Sequence, residues 1–189
     1  VTDSNRRRAL RAKSISRTKG YTERVGERPL RRDLEEARLD LFPGTGDDAR
    51  SVTVVHGPTA TATSYGNLVR LEPTERPMLA VDGDPSTAWI TGDFFDVIGA
   101  RLEIRIPGAA NTNHVNLLQS TGGNRSITRV RLTFDSTKAV EADLDARSKV
   151  NPGQRVQFSA RRFRRLAIEV VATDPGPRLE NYGLSGVGL

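Results

Sequence analysis

Four oxygen-bearing side chains fall within six residues at Asp82-Gly-Asp-Pro-Ser-Thr87, where Gly83 and Pro85 force the chain to turn. Hard oxygens gathered by a turn suit Ca2+, which takes about six to eight oxygen ligands, backbone carbonyls included. Asp82, Asp84 and Thr87 are therefore candidate calcium ligands. The same residues can close an Asx turn instead, with the two carboxylates accepting from backbone N–H groups. Residues suited to sugar hydroxyls lie between strand-like runs: Tyr65 and Asn67, Phe94 and Phe95, Asn111, Asn113 and His114, then Asn124 and Arg125. An aromatic face packs on the C–H groups of a sugar ring, while Asn, Arg and His bond its hydroxyls. Each has a plainer alternative: His114 capping a strand, Arg125 solvated, Phe94 or Phe95 plugging an end of the core. Trp89, the sole Trp, offers a face for stacking on a sugar, or packs inward, where a buried aromatic contributes a large apolar area.

Catalytic constellations are missing. The two His, His56 and His114, are far apart and no motif links them to Ser or Asp. There is no Gly-x-Ser-x-Gly, no His-Glu-x-x-His and no phosphate-binding Gly loop, since Thr121-Gly-Gly-Asn124 is short and lacks the Lys. The carboxylate pairs Glu35-Glu36 and Asp47-Asp48 lie where no stable cleft is expected. With no Cys in the chain, disulfides, thiolate metal sites and Cys nucleophiles are excluded.

The elements that would position these residues begin near Ser51. Leu102, Ile104 and Ile106 alternate with charges, as do Val130, Leu132 and Phe134, and Leu166, Ile168 and Val170. Such period-2 runs are strands with one apolar face. Weaker strand candidates are Val52–Val55, His114–Leu118, Val140–Leu144 and Arg155–Ser159. Turn clusters separate them at Pro107-Gly108, Thr121–Asn124, Asp135-Ser136, Asn151–Gly153 and Asp174–Pro177. No amphipathic helix of normal length follows Ser51. The fold expected is all-β, an antiparallel jelly-roll β-sandwich in which two sheets bury their inner faces.

Residues 1–50 differ in texture. They carry a net charge of +4 out of +6 for the 189-residue chain, and read as a basic arm or linker preceding a domain at 51–189. Leu30, Leu34, Ala37 and Leu41 fall at helical spacing before Pro43-Gly44, which predicts one short helix over 31–39; Leu39 and Leu41 in alternation offer a strand instead. A basic tail suits an acidic partner, or is simply a solvated linker. Nucleic acid is disfavoured, since only Tyr21 interleaves with its Arg residues. No apolar run approaches the ~18 residues of a membrane span. The absence of an initiator Met makes a piece of a longer protein the expectation.

Ala80-Val-Asp-Gly-Asp-Pro-Ser-Thr-Ala-Trp89 resembles the A-x-D-G-D/N-x-x-T-x-W signature of discoidin domains, the coagulation-factor 5/8 type C, galactose-binding-like family. Around it, Thr59–Tyr65 looks like the family's first strand and polar loop, Ala100–Ile106 like the strand after the Trp, Asn151–Val171 like the late pair of strands, and Tyr182–Val187 like the closing segment. The resemblance covers about Val52 to Leu189. Ile127–Leu132 and Phe163–Ile168 also look like modules of actinobacterial cell-wall arabinofuranosyltransferases. The resemblance implies a non-catalytic carbohydrate-binding module, with His114, Asn124 and Arg125 as the His, Asn and Arg that galactose-binding relatives use. It also implies an extracytoplasmic position in a membrane-anchored parent, arabinan or galactan as ligand, and the parent's other domains as partners. Family members often bind structural Ca2+ with a Glu near the C-terminal strand, where this chain has Gly186; that departure removes a charged ligand. A structural or protein-interaction module with no free sugar site is the competing class, favoured by an aromatic content of 5%.

Overall fold

The computed structural model describes residues 56–66, 75–92, 96–123, 125–135, 139–176 and 186–189. Within them the alternating runs become strands: β1 (Thr59–Ala62), β2 (Arg101–Leu117), β3 (Ile127–Phe134), β4 (Val140–Asp143) and β5 (Gln154–Thr173). All pair antiparallel in the order β1-β2-β5-β3-β4. The only helical elements among the described residues are single 3-10 turns at Pro77–Ala80 and Ala146–Lys149. The expected helix over 31–39, the strand at Val52–Val55 and the candidates Asn67, Phe94, Phe95 and Asn124 lie outside the described residues.

Two expected pairs of strands are in fact two long strands. Pro107-Gly108, read as a turn, lies inside β2, which runs without a break from Arg101 to Leu117. Likewise Arg155–Ser159 and Arg165–Val170 belong to one strand, β5. Pro-Gly ends a strand only when the ladder ends with it. Here the register slips between Arg105 and Ala110, and Gly108 takes up the kink at φ 77°. Extra residues in a bulge bend a strand sharply without ending it.

That bend doubles the sheet over. At its C-terminal end β5 pairs Thr173 with Ile127 of β3. Yet Gln154, the first residue of β5, donates from Nε2 to the Asp143 carbonyl at 2.7 Å, and Asp143 pairs with Arg129. A straight strand of that length would hold its ends roughly 60 Å apart, so β5 must fold back on itself. Gln119, just beyond β2, completes the closure: its amide donates to the Ile127 carbonyl (3.0 Å) and accepts from the Ile127 N–H (2.7 Å). The β2–β5 ribbon thus turns a corner at its bulges and returns as a second layer, the way strands switch sheets in orthogonal packings.

Between the layers lie Leu102, Ile127, Val130, Leu132, Phe134, Ile168 and Val170, all at most 2% exposed. These are the inward halves of the alternating runs, and each contributes about 1.5–3 kcal/mol by leaving water. Trp89 joins them at 0% exposure, the inward-packed of its two readings. Its indole N–H donates to the Ser64 carbonyl (2.9 Å), and its backbone exchanges two bonds with Leu189.

Candidate binding site

The end of the sheet away from the corner collects the loops. β1 leaves at Ala62, opposite Leu102 near the start of β2, while β3 begins where β5 finishes. Tyr65 follows β1 and is partly buried. Its neighbour Gly66 donates to the Ile90 carbonyl at 3.3 Å. Gly92 lies so close that an added Cβ would meet the Tyr65 carbonyl at 2.9 Å. This contact fixes the loop after β1 against the segment after Trp89, and only a residue without a side chain fits there.

Arg125 stands at the mouth of β3. Burial pulls its guanidinium below the usual value, and the charges of Asp96 and Asp174 push back. Asp174 is itself fixed, accepting from the Ser126 N–H at 2.7 Å while its own N–H donates to the Ser126 carbonyl. Arg125 is thus partly desolvated between carboxylates from two other loops. Sequence reasoning missed Asp96 and Asp174; the sole hint was that Asp174-Pro ends an apolar run. Ile98, in the same loop as Asp96, is half exposed.

His114 does not join this group. It opens the strand candidate His114–Leu118, and it sits within β2, opposite Gln157 of β5. The slip between Thr112 and His114 carries the strand through the polar Asn-Thr-Asn sequence without interruption. Its Nδ1 lies 3.0 Å from Asn113 Oδ1 and 3.2 Å from Arg155 Nη2. One tautomer donates to the first and the other accepts from the second. With Thr112 Oγ1 at 3.4 Å, its partners all come from the β2–β5 ribbon.

The 82–87 turn takes its hydrogen-bonded form. Asp82 Oδ1 accepts from the Asp84 N–H at 3.0 Å, and Asp84 Oδ1 from the Ser86 N–H at 2.8 Å. Around Thr87 Oγ1 lie both Asp82 carboxylate oxygens, the Asp84 carbonyl and the Leu79 carbonyl, at 2.8–3.3 Å. The hydroxyl hydrogen serves one of these four acceptors at a time, while the Asp84 and Thr87 N–H groups donate to Asp82 Oδ1 and the Asp84 carbonyl. That donor set fits a hard cation. It gains no carboxylate from Gly186, where an added Cβ would meet the Thr91 carbonyl at 2.7 Å. Among the described residues no three His, Cys, Asp or Glu side chains cluster as a metal site. The turn also borders a cleft of about 650 Å³ over the inner face, with Ile104, Ile106, Ala110, Val115 and Phe163 among its walls.

No family model and no curated protein sequence matches the chain. Solved structures do. The mycobacterial arabinofuranosyltransferase AftD, solved by cryo-EM, matches over 88% of this chain with TM-score 0.55 and 18% identity. The chain spans 12% of that enzyme's length. The family 32 carbohydrate-binding module of C. perfringens NanJ, in complex with galactose, matches over 70% of this chain and 93% of its own, with TM-score 0.48 and 19% identity. A second C. perfringens family 32 module, in complex with GalNAc-β-1,3-galactose, gives TM-score 0.48 and 17% identity over 69% of this chain and 94% of its own. The chain is structurally similar to a domain of AftD and to family 32 carbohydrate-binding modules.

Proposed function

We propose that the protein is a non-catalytic carbohydrate-binding module with a jelly-roll β-sandwich fold, serving a cell-wall glycosyltransferase on the extracytoplasmic side. Its ligand is a neutral arabinan or galactan chain. The observation that carries this reading is the likeness to AftD across 88% of the chain; the polar loop end around Tyr65 and Arg125 is the surface that fits a sugar. Asn67, Phe94, Phe95 and Asn124 belong to the same or adjoining loops by sequence. A few hydrogen bonds and one stacked ring give millimolar affinity, about −4 kcal/mol.

NMR titration of the chain with arabinan and galactan fragments tests the reading. Shifts are expected at Tyr65 and Arg125, and Arg125→Ala should weaken binding without unfolding the chain. Trp89→Ala serves as the contrast, since emptying that buried site should destabilise by about 3–5 kcal/mol. No shifts with either polymer would favour the second reading, an interaction module without a free sugar site. One observation speaks for that alternative: no aromatic side chain among the described residues is exposed.

Calcium at the 82–87 turn belongs to the same proposal, as a structural ion. Asp82, Asp84 and Thr87 would hold it with the Leu79 and Asp84 carbonyls, its charge balancing the two carboxylates. A ligand that binds only the native state raises the melting temperature. Calcium should therefore raise it, a chelator should reverse the gain, and Thr87→Val should abolish the response. An unchanged melting temperature up to millimolar calcium would leave the turn held by hydrogen bonds alone.

A further inference from the structure

No acidic residue occurs between Glu103 and Asp135, and none between Asp145 and Glu169. The fold pairs these two stretches at the corner of the β2–β5 ribbon. Arg105 stands opposite Arg165, Asn111 opposite Arg162 and Thr112 opposite Arg161, with Arg164 between. Like charges directly opposite each other on a sheet destabilise it, and little here offsets the repulsion. Glu103 reaches Arg105 at 3.6 Å. Asp135, beside the corner, directs its oxygens to the backbone N–H groups of Arg164 and Arg165 at 2.8–3.1 Å. Among the described residues no carboxylate pairs with the Arg161, Arg162, Arg164 or Arg165 side chain. Elsewhere on the molecule Arg129, Arg131 and Arg147 each have one within 3.0 Å.

We infer that this corner binds an anionic glycan, a sugar chain bearing carboxylate or phosphate groups. Arg161 is already oriented: its guanidinium lies 4.7 Å from the Phe134 ring centroid, and its Nε donates to the Ser159 carbonyl. A planar guanidinium held in place loses less freedom on meeting an anion. Asn111, exposed and opposite Arg162, brings an amide that suits sugar hydroxyls. Single-stranded nucleic acid fits less well, because it stacks bases on exposed rings, whereas Phe134 is buried and Phe158 lies partly buried beneath Arg161. A bilayer fits less well too, since the exposed large apolar side chains among the described residues, Ile98 and Val150, both lie away from the corner. The site is distinct from the loop end: Phe134 pairs with Leu166 at the corner, while Ile127, beside Arg125, pairs with Thr173.

The test is binding of the full chain to polygalacturonate and to phosphorylated dextran at low and high salt. Neutral dextran, single-stranded DNA and phosphatidylglycerol vesicles are measured alongside. Removing Arg162, Arg164 and Arg165 together as Ser should weaken binding to the acidic glycan by roughly tenfold. It should leave the melting temperature unchanged or higher, since like charges are removed. A second variant, with Arg129, Arg131 and Arg147 changed to Ser, has the same net charge and should bind as the native chain does. Preference for one acidic glycan identifies the anion as carboxylate or phosphate. Equal loss in both variants, no binding of either glycan, or tighter binding of DNA or vesicles would overturn the proposal. Neutral arabinan or galactan binding at the loop end is read separately, so either site can fail alone.

Discussion

At the scale of single residues, charge on this surface divides into paired and unpaired groups. The hydrogen bond from Arg129, and then its charge, hold the Asp143 carboxyl below the usual carboxylate range. Hydrogen bonds from the Arg147 side chain and then its backbone N–H likewise hold Asp145 below that range. A carboxylate whose folded value is depressed adds stability above its unfolded value, about 3.9. It loses that stability as pH falls through the folded value. The melting-temperature gap between the native chain and Arg129→Ala is therefore expected near neutral pH, to narrow below about pH 4 and to close once Asp143 is protonated. A gap that stays constant into strong acid would mean that Arg129 acts through packing. The pairing of Asp143 with Arg129 depends on β3 and β4 being adjacent, which residue types alone do not encode. Trp89 was legible because the family that Ala80–Trp89 resembles turns its Trp inward, where a large ring contributes most apolar area. Arg125 falls outside the strands, as its place between apolar runs implies, but the carboxylates beside it come from 29 and 49 positions away, beyond any local pattern.

Elements were legible where the alternation is strict. Val130, Leu132 and Phe134, like Leu166, Ile168 and Val170, point inward as their spacing demands. The reading failed at the corner, because Pro107-Gly108 has the composition of a turn whether a strand reverses or merely bends. It failed at Asn111-Thr-Asn113 for the same reason: a polar run passes for a loop, yet β5 pairs with Asn111 and Thr112 and, past a slip in register, with His114. The two glutamines that hold the doubled sheet together gave no signal either. Gln119 is 4% exposed and Gln154 7%, values unusual for a side chain that is mostly found at surfaces. Each offers a backbone-like amide where two layers meet without a strand pair. Gln119→Leu keeps the bulk but leaves the N–H and carbonyl of Ile127 without this partner in a buried place. An unsatisfied buried group costs about 1–3 kcal/mol, so a loss of roughly 2–4 kcal/mol is expected by urea unfolding. A cost below ~1 kcal/mol would show that Ile127 finds another partner or that the layers are held elsewhere.

The whole molecule is organised by the doubling of one sheet, which sends different chemistry to its two ends. Loops from several strands meet at one end, around Tyr65, Arg125, Asp96 and Asp174. The other end is the corner, where two strands bring their arginines together. A neutral sugar held by hydroxyl contacts should be insensitive to salt, while an anionic chain at the corner should be released by it. The same architecture bears on residues 1–50, the stretch that holds most of the net charge. The buried cluster that runs from Ala60 to Leu189 fills the space between the two layers, and both layers close through Gln119 and Gln154. Deleting residues 1–45 is therefore expected to leave a chain that unfolds in a single cooperative transition, as small single domains do. The check is thermal and urea unfolding of the shortened chain, followed by two probes, Trp89 fluorescence and far-ultraviolet circular dichroism. Coincident transitions would locate the folding unit after residue 45. Transitions that separate, or a chain without a melting transition, would mean that the N-terminal stretch contributes to the core, and the boundary near residue 50 would have to move toward the N-terminus.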